Sequence, residues 1–364
     1  MKKTRHIGIL CSGGDCPGLN AVIRAVVRSS LRQGLRVTGF QDGYAGLVED
    51  QGRRLGYEDV ADILAQGGTI LGASNKDSPF AYFGKSSRPR DRSGDALATA
   101  KRRGLDGLIV LGGDGSLKMA EGLSKLGLGI VGVPKTIDND IFGTDRSFGF
   151  DTAVATASES IDRLRSVASS LHRVMVVEVM GRYTGWLALY SGVATGADVI
   201  LIPEIPFQIP TICRSIDARR KRGRKSSIIV VAEGAPVFKG RRVVQSRSPN
   251  AVDPVRLGGV GAVVAKAIEA GAGVEARSVT LGHVVRGGSP TAFDRVLATR
   301  FGLAAARLVV KGDFGKMVAL KGNAIEEVPL AVPGAGYRAI PRQDPMIGVA
   351  REIGCSFGDV LEAD

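Results

Sequence analysis

The chain has 364 residues, of which 50 are Gly, 44% are hydrophobic and 23% are charged. Glycine stands at about twice its usual share, and the otherwise ordinary composition excludes intrinsic disorder and a collagen-like repeat. The formal charge of +13, from 49 Lys and Arg against 36 Asp and Glu, indicates an anionic partner: nucleic acid, a membrane surface or a phosphorylated small molecule.

Short apolar strands alternate with helical segments along the first half of the chain. The predicted strands cover residues 7–11, 37–40, 107–111 and 129–133, and a helix over residues 20–32 follows the first of them. Near-continuous apolar runs of this length are typical of buried parallel strands. Their alternation with helices predicts a doubly wound α/β sheet.

A second α/β series begins near Phe148 and has a core of its own, as a length of 364 residues leads us to expect. Its predicted elements are a helix over residues 151–169, strands over 174–179, 199–203, 227–232 and 279–283, and a helix from Ala292 onward. No low-complexity linker separates the two series. We therefore predict two Rossmann-like α/β/α lobes with a cleft between them, one formed by residues 1–150 and about 285–335, the other by 151–284 and about 336–364.

The first glycine-rich loop, Gly13-Gly14-Asp15-Cys16-Pro17-Gly18, follows a strand and opens a helix. Backbone N–H groups and a helix N-terminus bind phosphate at such a position. Leu19-Asn20 stands where a mononucleotide P-loop needs Lys and Ser or Thr, which argues against that motif. The alternative is an ordinary tight turn between strand and helix.

The second loop, Gly112-Gly113-Asp114-Gly115-Ser116, carries a carboxylate among its glycines. A carboxylate beside bare N–H groups suits Mg²⁺ that bridges to phosphate oxygens, although Asp114 could instead cap the helix that follows. The dinucleotide fingerprint needs a third glycine at position 118, where Lys118 stands, which argues against a dehydrogenase.

The third loop, Lys135-Thr136-Ile137-Asp138-Asn139-Asp140, places two carboxylates two residues apart after a predicted strand. One can accept the proton of an attacking hydroxyl while the other serves a metal ion. Transfer of a phosphoryl group to a hydroxyl needs little more than orientation, such a base and positive charge. Local Asx turns are the alternative explanation.

These loops belong to five motifs that occur in the same order in 6-phosphofructokinases, and the sequence resembles that family from about residue 6 to beyond residue 320. The motifs are Ser12-Gly13-Gly14-Asp15, Gly112-Gly113-Asp114-Gly115-Ser116, Lys135-Thr136-Ile137-Asp138-Asn139-Asp140, Met180-Gly181-Arg182 and Gly282-His283-Val284-Val285-Arg286-Gly287-Gly288-Ser289-Pro290. The resemblance implies Mg²⁺-dependent transfer of phosphate from ATP to the 1-hydroxyl of fructose 6-phosphate, the committed step of glycolysis. It also implies that the first lobe binds the donor and the second binds the sugar phosphate.

The resemblance assigns a role to each matching residue. The catalytic residues are Asp138 as base, its loop neighbours Thr136 and Asp140, and Arg182 on the transferring phosphoryl group. The nucleotide-binding residues are Gly14, Tyr44, Gly113, Asp114, Gly115, Ser116 and Lys135, with Asp114 also holding Mg²⁺. The sugar-phosphate residues are Thr136, Ile137, Asp138, Arg173, Met180, Gly181, Arg182, Glu233, Arg277, His283, Val284, Val285 and Arg286.

Two of these arginines, Arg173 and Arg277, match residues that the family supplies from a neighbouring subunit. The resemblance therefore implies a dimer or tetramer with active sites at subunit interfaces. From the residue types alone, His283 could be a core histidine and Glu233 a buried structural acid. Four arginines around one phosphate ester are nevertheless a reasonable binding site, because the guanidinium group binds phosphate through two parallel hydrogen bonds.

Two positions point to different phosphoryl donors. Gly115 leaves room for a nucleotide where pyrophosphate-dependent relatives usually carry Asp, whereas Lys135 is usual in pyrophosphate enzymes. We predict ATP, because an added side chain would exclude the nucleotide while an added lysine only contributes a cation; pyrophosphate is the alternative. Two further departures from the family are Asn75, where many relatives have Arg, and Met119, where ATP enzymes often have Gly.

Two groups of cations lie outside these motifs. Arg24, Arg28 and Arg165 match an effector site of the bacterial enzymes, which implies allosteric regulation; a solvated basic stripe is the alternative. The run from residue 219 to 225 contains six cations in seven residues. Because no aromatic residues are interleaved with it, we read it as a solvated helix end rather than a nucleic-acid site. A non-catalytic sugar-phosphate or nucleic-acid-binding protein is the remote alternative.

The cellular setting follows from hydropathy and cysteine content. No apolar run reaches the roughly 18 residues of a membrane span. Four scattered cysteines, Cys11, Cys16, Cys213 and Cys355, fit neither a disulfide framework nor a zinc site. We therefore expect a cytoplasmic protein with no membrane partner.

Overall fold

The computed structural model describes residues 5–74, 77–84, 88–237, 240–247 and 255–359. These residues divide into two compact units. Unit 1 contains the described residues up to Thr152 together with Arg286–Tyr337, and unit 2 contains those from Ala153 to Val285 and from Arg338 onward.

Strands and helices alternate along the described ranges. The strands are β1 (His6–Cys11), β2 (Arg36–Phe40), β3 (Gly52–Arg54), β4 (Gly107–Gly112), β5 (Ile130–Pro134), β6 (Val174–Val179), β7 (Val199–Leu201), β8 (Ser227–Ala232), β9 (Val244–Arg247), β10 (Val255–Leu257), β11 (Ala276–Thr280), β12 (Lys316–Lys321) and β13 (Ala324–Pro329). The α-helices are α1 (Leu19–Arg32), α2 (Tyr44–Val48), α3 (Ser93–Arg102), α4 (Asp114–Lys125), α5 (Phe150–Leu171), α6 (Trp186–Ala194), α7 (Ile209–Lys221), α8 (Val260–Ala272), α9 (Ala292–Lys311) and α10 (Pro345–Glu352).

Unit 1 is built on a seven-stranded sheet in the order β13-β12-β5-β4-β1-β2-β3. The inner strands are parallel, while the two outermost strands, β3 and β13, run antiparallel to their neighbours. Leu10, Leu108 and Val110 point to the face that α2, α3 and α4 cover, in one apolar cluster. The alternating residues Ile9 and Ile109 point to the opposite face, where α1 and α9 pack against each other and against the sheet.

Unit 2 has a parallel four-stranded sheet in the order β11-β6-β8-β7 and a separate antiparallel ribbon of β9 and β10. Its core joins Val176, Val231 and their neighbours to apolar residues of α7 and α8. Helix α6 contacts β7 and β8, and α10 packs on α6. The predicted α/β class is confirmed in both units, since each consists of a mainly parallel sheet with packed helices.

One strand lies elsewhere than predicted. The sequence predicted a strand over residues 279–283, but β11 covers Ala276–Thr280 and a 3-10 turn follows over Gly282–Arg286. The reason is that β11 is an edge strand whose side chains at Arg277, Ser278 and Thr280 are exposed or half-exposed, so it lacks an apolar run. Gly282 ends it with a φ of +51°, which favours glycine.

A buried carboxylate anchors the helix that covers the unit 2 sheet. Glu178 on β6 is 1% exposed, and its side chain accepts hydrogen bonds from the backbone N–H groups of Gly259 and Gly261 at the start of α8. These N–H groups have no partner within the helix, and a negative charge is favourable at the positive end of the helix dipole. Glu178 therefore ties β6 to the N-terminus of α8.

We expect Glu178→Ala to lower the free energy of unfolding of unit 2 by about 2–4 kcal/mol, because it leaves buried backbone donors without acceptors. The only tryptophan of the sequence, Trp186, lies in this unit, so fluorescence during urea unfolding reports on it. The control Glu159→Ala removes an exposed ion pair with Arg163 and should cost less than about 0.5 kcal/mol. Equal losses in the two variants would contradict the anchoring role.

Candidate active site

The three predicted loops follow β1, β4 and β5, which are neighbours in the unit 1 sheet. Because the strands are parallel, their carboxyl ends lie at one edge of the sheet and the loops are brought side by side. Backbone hydrogen bonds join them: Ser12 N–H donates to the Leu111 carbonyl over 2.8 Å, and Lys135 N–H donates to the Gly112 carbonyl over 3.0 Å.

A buried lysine connects the first and third loops. Lys135 is 4% exposed, and its ammonium group donates a hydrogen bond to the carbonyl of Gly14. A Cβ at position 13 would lie 3.1 Å from this ammonium nitrogen and 3.2 Å from Ser116 Oγ, and Gly13 has a φ of +84°. Burial lowers the pKa of Lys135. Position 13 therefore requires glycine for both space and backbone conformation.

The second loop leads into α4, which begins at Asp114. The hydroxyl of Tyr44 donates to the backbone carbonyl of Ser116 over 2.8 Å, and Ser116 Oγ donates to Ser12 Oγ over 3.0 Å. Tyr44 is fully buried, so the structure places its hydroxyl in support of this loop. A Cβ at Gly115 would meet no described atom within 4 Å, which leaves open space beside the helix N-terminus.

Three carboxylates converge near these loops. Burial, followed by the negative charges of Asp138 and Asp114, raises the pKa of Asp140 well above its ordinary range. The Thr136 hydroxyl accepts from the Asp138 N–H over 3.1 Å, so a local turn and a carboxylate cluster coexist here. Ile137 in the same loop is fully buried. A local turn in the third loop therefore does not exclude a catalytic role for its two carboxylates.

The carboxylate cluster suits a hard cation. Among the described residues, no three His, Cys, Asp or Glu side chains are arranged to hold a metal ion by themselves. Mg²⁺, however, is usually held by one or two carboxylates together with substrate phosphates. The oxygen donors of Asp114 and its acidic neighbours fit that requirement.

Arg286 lies beside the first loop in unit 1. Its guanidinium group donates to the carbonyl of Asp15 over 3.0 Å, and a Cβ at Gly14 would lie 2.9 Å from its Nη1 atom. A side chain at position 14 would therefore displace this guanidinium group. The following segment is held by Ser289, whose hydroxyl donates to the carbonyl of Ala65 over 2.6 Å.

In unit 2, the predicted sugar-phosphate residues follow β6, β8 and β11, which are adjacent strands. Met180, Gly181 and Arg182 come after β6, Glu233 follows β8, and His283, Val284 and Val285 lie in the 3-10 turn after β11. Arg182 donates to the Val255 carbonyl and stacks on the Tyr183 ring at 5.5 Å. These residues thus share the carboxyl edge of the unit 2 sheet.

Arg173 and Arg277 lie at the opposite, amino edge of the same sheet. Arg173 directly precedes β6 and Arg277 is the second residue of β11. Arg173 pairs with Glu275 over 3.1 Å, and Arg277 pairs with Glu275 and Glu269 over 2.8 Å each. A six-residue strand is about 20 Å long, so one chain does not bring these arginines to Arg182 or His283.

A sequence model described as Phosphofructokinase matches residues 6–309. The chain belongs to the phosphofructokinase family. The predicted family is therefore confirmed, and the five motifs occupy the strand ends that this fold places at the carboxyl edges of its two sheets.

Three known phosphofructokinases illustrate the similarity. The pyrophosphate–fructose 6-phosphate 1-phosphotransferase of Amycolatopsis methanolica is 49% identical, over 92% of this chain and 96% of the relative. The ATP-dependent 6-phosphofructokinase of Chloroflexus aggregans is 47% identical, over 99% of both. The crystal structure of Pichia pastoris phosphofructokinase in the T-state is 33% identical with a TM-score of 0.80, over 97% of this chain but only 37% of the yeast chain.

Several of the cations outside the phosphofructokinase motifs have structural partners. The guanidinium group of Arg165 donates to the carbonyls of Thr195 and Gly196, which follow α6. Arg28 lies over the Tyr57 ring at 6.0 Å, and Arg24 is half-buried on the same helix. In the basic run, Arg219 pairs with Asp198 over 2.8 Å. Asn75, a departure from the family pattern, lies outside the described residues. None of the helices in the described ranges has the length and hydropathy of a membrane span.

Asp294 supports the site and was not singled out from the sequence. It is fully buried, and one carboxylate oxygen accepts from both the N–H and the hydroxyl of Thr152, over 2.8 and 2.6 Å. Thr291 caps α9, donates through its N–H to the Thr152 hydroxyl and through its own hydroxyl to Asp151. The N-termini of α5 and α9 are thereby joined. The spacing Thr-x-x-Asp, a capping box, was the available signal.

Burial raises the pKa of Asp294 from 3.8 to about 6. Between these values the folded chain keeps a proton that the unfolded chain has released, so its stability falls as pH rises. We expect Asp294→Asn to lack this loss, so that wild type should lose about 2 kcal/mol relative to the variant between pH 4 and 6. Calorimetry across that range measures the difference. Parallel profiles, as expected for the exposed control Asp62→Asn, would contradict the assignment.

Proposed function

We propose that this protein is a cytoplasmic 6-phosphofructokinase that transfers phosphate from Mg-ATP to the 1-hydroxyl of fructose 6-phosphate, the committed step of glycolysis. The observation that carries the proposal is the convergence of three loops at the carboxyl edge of the unit 1 sheet. These loops combine the backbone N–H groups of glycines, the buried ammonium group of Lys135 and three interacting carboxylates. This combination suits phosphoryl transfer, which depends on positioning and charge.

The loops divide the chemistry among their residues. The N–H groups of Gly14, Gly113 and the start of α4 orient the donor phosphates. Asp114 would hold Mg²⁺, which would supply positive charge against those phosphates. Asp138 accepts the proton of the sugar hydroxyl. Burial and then the negative charge of Asp138 raise the pKa of Asp140. We assign Asp138, the half-buried member of the pair, as the base.

The arginines bind and stabilise phosphate groups. Arg182 stabilises the charge that develops on the transferring phosphoryl group, and Arg286 with His283 binds the 6-phosphate. Arg173 and Arg277 lie at the other edge of the unit 2 sheet, which supports their action on a neighbouring subunit's site in a dimer or tetramer. Arg24, Arg28 and Arg165 remain a proposed effector site, and we propose no nucleic-acid partner.

We expect Asp138→Asn to lower kcat by about 10²–10⁴, because general base catalysis is lost, while fructose 6-phosphate still binds. Formation of fructose 1,6-bisphosphate is measured with ATP or pyrophosphate as sole donor, with and without Mg²⁺, and sugar-phosphate binding is followed by calorimetry. The control Asp162→Asn changes an exposed carboxylate on α5 and should leave kcat unaltered. Undiminished turnover by Asp138→Asn would refute the assigned base.

Pyrophosphate is the second candidate donor, because the Amycolatopsis relative carries that name and Lys135 suits it. Two observations favour ATP. The ammonium group of Lys135 is engaged by the Gly14 carbonyl, and the space beside Gly115 is open. Open space at that position accommodates the part of a nucleotide that pyrophosphate lacks.

We expect Gly115→Asp to lower kcat/KM for ATP at least about tenfold, or about 1.4 kcal/mol, because the new carboxylate repels and obstructs the nucleotide phosphates. Activity with pyrophosphate should not fall in parallel. The control Gly348→Asp places the same side chain in α10, where a Cβ also meets no described atom within 4 Å. Unchanged kinetics with ATP in Gly115→Asp would remove the steric argument for this donor.

A further inference from the structure

The antiparallel ribbon of β9 and β10 contacts the segment that carries Arg182. This ribbon lies between β8 and α8 in the chain. The carbonyl of Val255, the first residue of β10, accepts a hydrogen bond from the Arg182 guanidinium group. Arg242, just before β9, lies over the Tyr183 ring at 5.3 Å, and Arg182 lies over the same ring at 5.5 Å. The resemblance to phosphofructokinases assigned no role to Tyr183, to Arg242 or to the ribbon.

We propose that Tyr183 and the β9–β10 ribbon position the guanidinium group of Arg182 for its contact with the transferring phosphoryl group, and that Arg242 holds the Tyr183 ring in place. The inference rests on the proposed function, because that function assigns Arg182 to the phosphoryl group. It adds positioning residues that act through Arg182.

The backbone of Arg182 is restrained from the side of β8. The N–H of Gly234, which follows β8, donates to the Gly181 carbonyl over 3.0 Å. A Cβ at Gly234 would lie 2.0 Å from the Arg182 carbonyl oxygen, so the two segments are in close contact. These contacts fix the main chain, but the long arginine side chain keeps its rotamer freedom unless other groups restrict it.

Two of the contacts that restrict the Arg182 side chain are with uncharged groups. One is the Val255 carbonyl and the other is the Tyr183 ring. A cation is attracted to the face of an aromatic ring, so both contacts hold the guanidinium group without offsetting the positive charge that phosphate requires. A guanidinium group has five N–H donors, so a hydrogen bond to one carbonyl is compatible with phosphate binding.

The ribbon is anchored to the same strand that leads to Arg182. Glu178 on β6 accepts hydrogen bonds from N–H groups at the start of α8, directly after β10. The N–H of Gly258 donates to the Val243 carbonyl over 3.4 Å, which closes the base of the ribbon. Strand β6 therefore fixes the base of the ribbon through Glu178, and the Val255 carbonyl further along the ribbon holds Arg182.

Tyr183→Leu removes the ring but keeps an apolar side chain. We expect kcat to fall about tenfold and KM for fructose 6-phosphate and for ATP to stay within about twofold, because Arg182 acts on charge that develops in the transition state. Tyr183→Phe keeps the ring and should restore kcat to at least about half of wild type. The control Tyr190→Leu makes the same change at another half-buried tyrosine of unit 2, and kcat should stay within about twofold.

A double-mutant cycle with Arg182→Met distinguishes positioning from a structural effect of Tyr183. If the ring acts through Arg182, Tyr183→Leu should lower the residual kcat less than about twofold in the Arg182→Met background. A general distortion of the segment after β6 would instead lower kcat by the same factor in both backgrounds.

Arg242→Gln tests the ribbon side at an exposed residue, where a substitution is compatible with folding. We expect kcat to fall about threefold at constant KM, because the Tyr183 ring loses the cation that holds it. The control Arg241→Gln removes the same charge at the adjacent exposed position and should change kcat less than about 1.5-fold.

The inference would be overturned by a kcat within about twofold of wild type in Tyr183→Leu, by equal losses in Tyr183→Leu and Tyr183→Phe, or by equal losses from Tyr183→Leu in the two backgrounds. An unchanged kcat in Arg242→Gln, or an equal fall in Arg241→Gln, would refute the part assigned to Arg242. In all these cases sugar phosphorylation would stand. An undiminished kcat in Arg182→Met, or a wild-type protein with no activity on fructose 6-phosphate with either donor, would instead refute the proposed function and the inference with it.

Discussion

The hydrogen bond from the buried ammonium group of Lys135 to the Gly14 carbonyl is the interaction on which the unit 1 site depends. Burying an ammonium group costs several kcal/mol unless its hydrogen bonds are satisfied, and burial accordingly lowers the pKa of Lys135. The hydrogen bond offsets part of that cost and joins the loops after β1 and β5. Gly13 must then leave space for the ammonium group, and Gly14 must leave space for Arg286.

Buried carboxylates serve two different purposes in this protein. Glu178 and Asp294 accept hydrogen bonds from backbone N–H groups near helix N-termini, so each joins two elements within its own unit. Asp140 is buried and Asp138 half-buried in one loop, where burial and then the negative charge of Asp138 raise the pKa of Asp140. The difference lies in the surroundings of each carboxylate, because the residue type is the same.

Sequence patterns predicted the strands whose burial requires a continuous run of apolar residues. Strands β1, β4, β5, β6 and β8 are buried on both faces, so continuous apolar runs revealed them. The edge strands β11 and β13 have exposed side chains and lack that signal, so β11 was misplaced and β13 was not predicted. The residues and the order of the five motifs were sufficient to identify the family, because both can be read along the chain without knowledge of tertiary contacts.

The sequence by itself determined the α/β class, the family, and the glycines and carboxylates at the strand ends, because these depend on residue type and local spacing. The tertiary structure alone decided that Met119 packs against the apolar cluster of unit 1, that Tyr44 supports a loop from within the core, and that Arg165 binds the carbonyls after α6. Each of these depends on which side chains distant segments of the chain bring into contact. Local sequence carries no record of such contacts, because the partners are separated by tens or hundreds of residues and meet only when the sheet and its helices have packed.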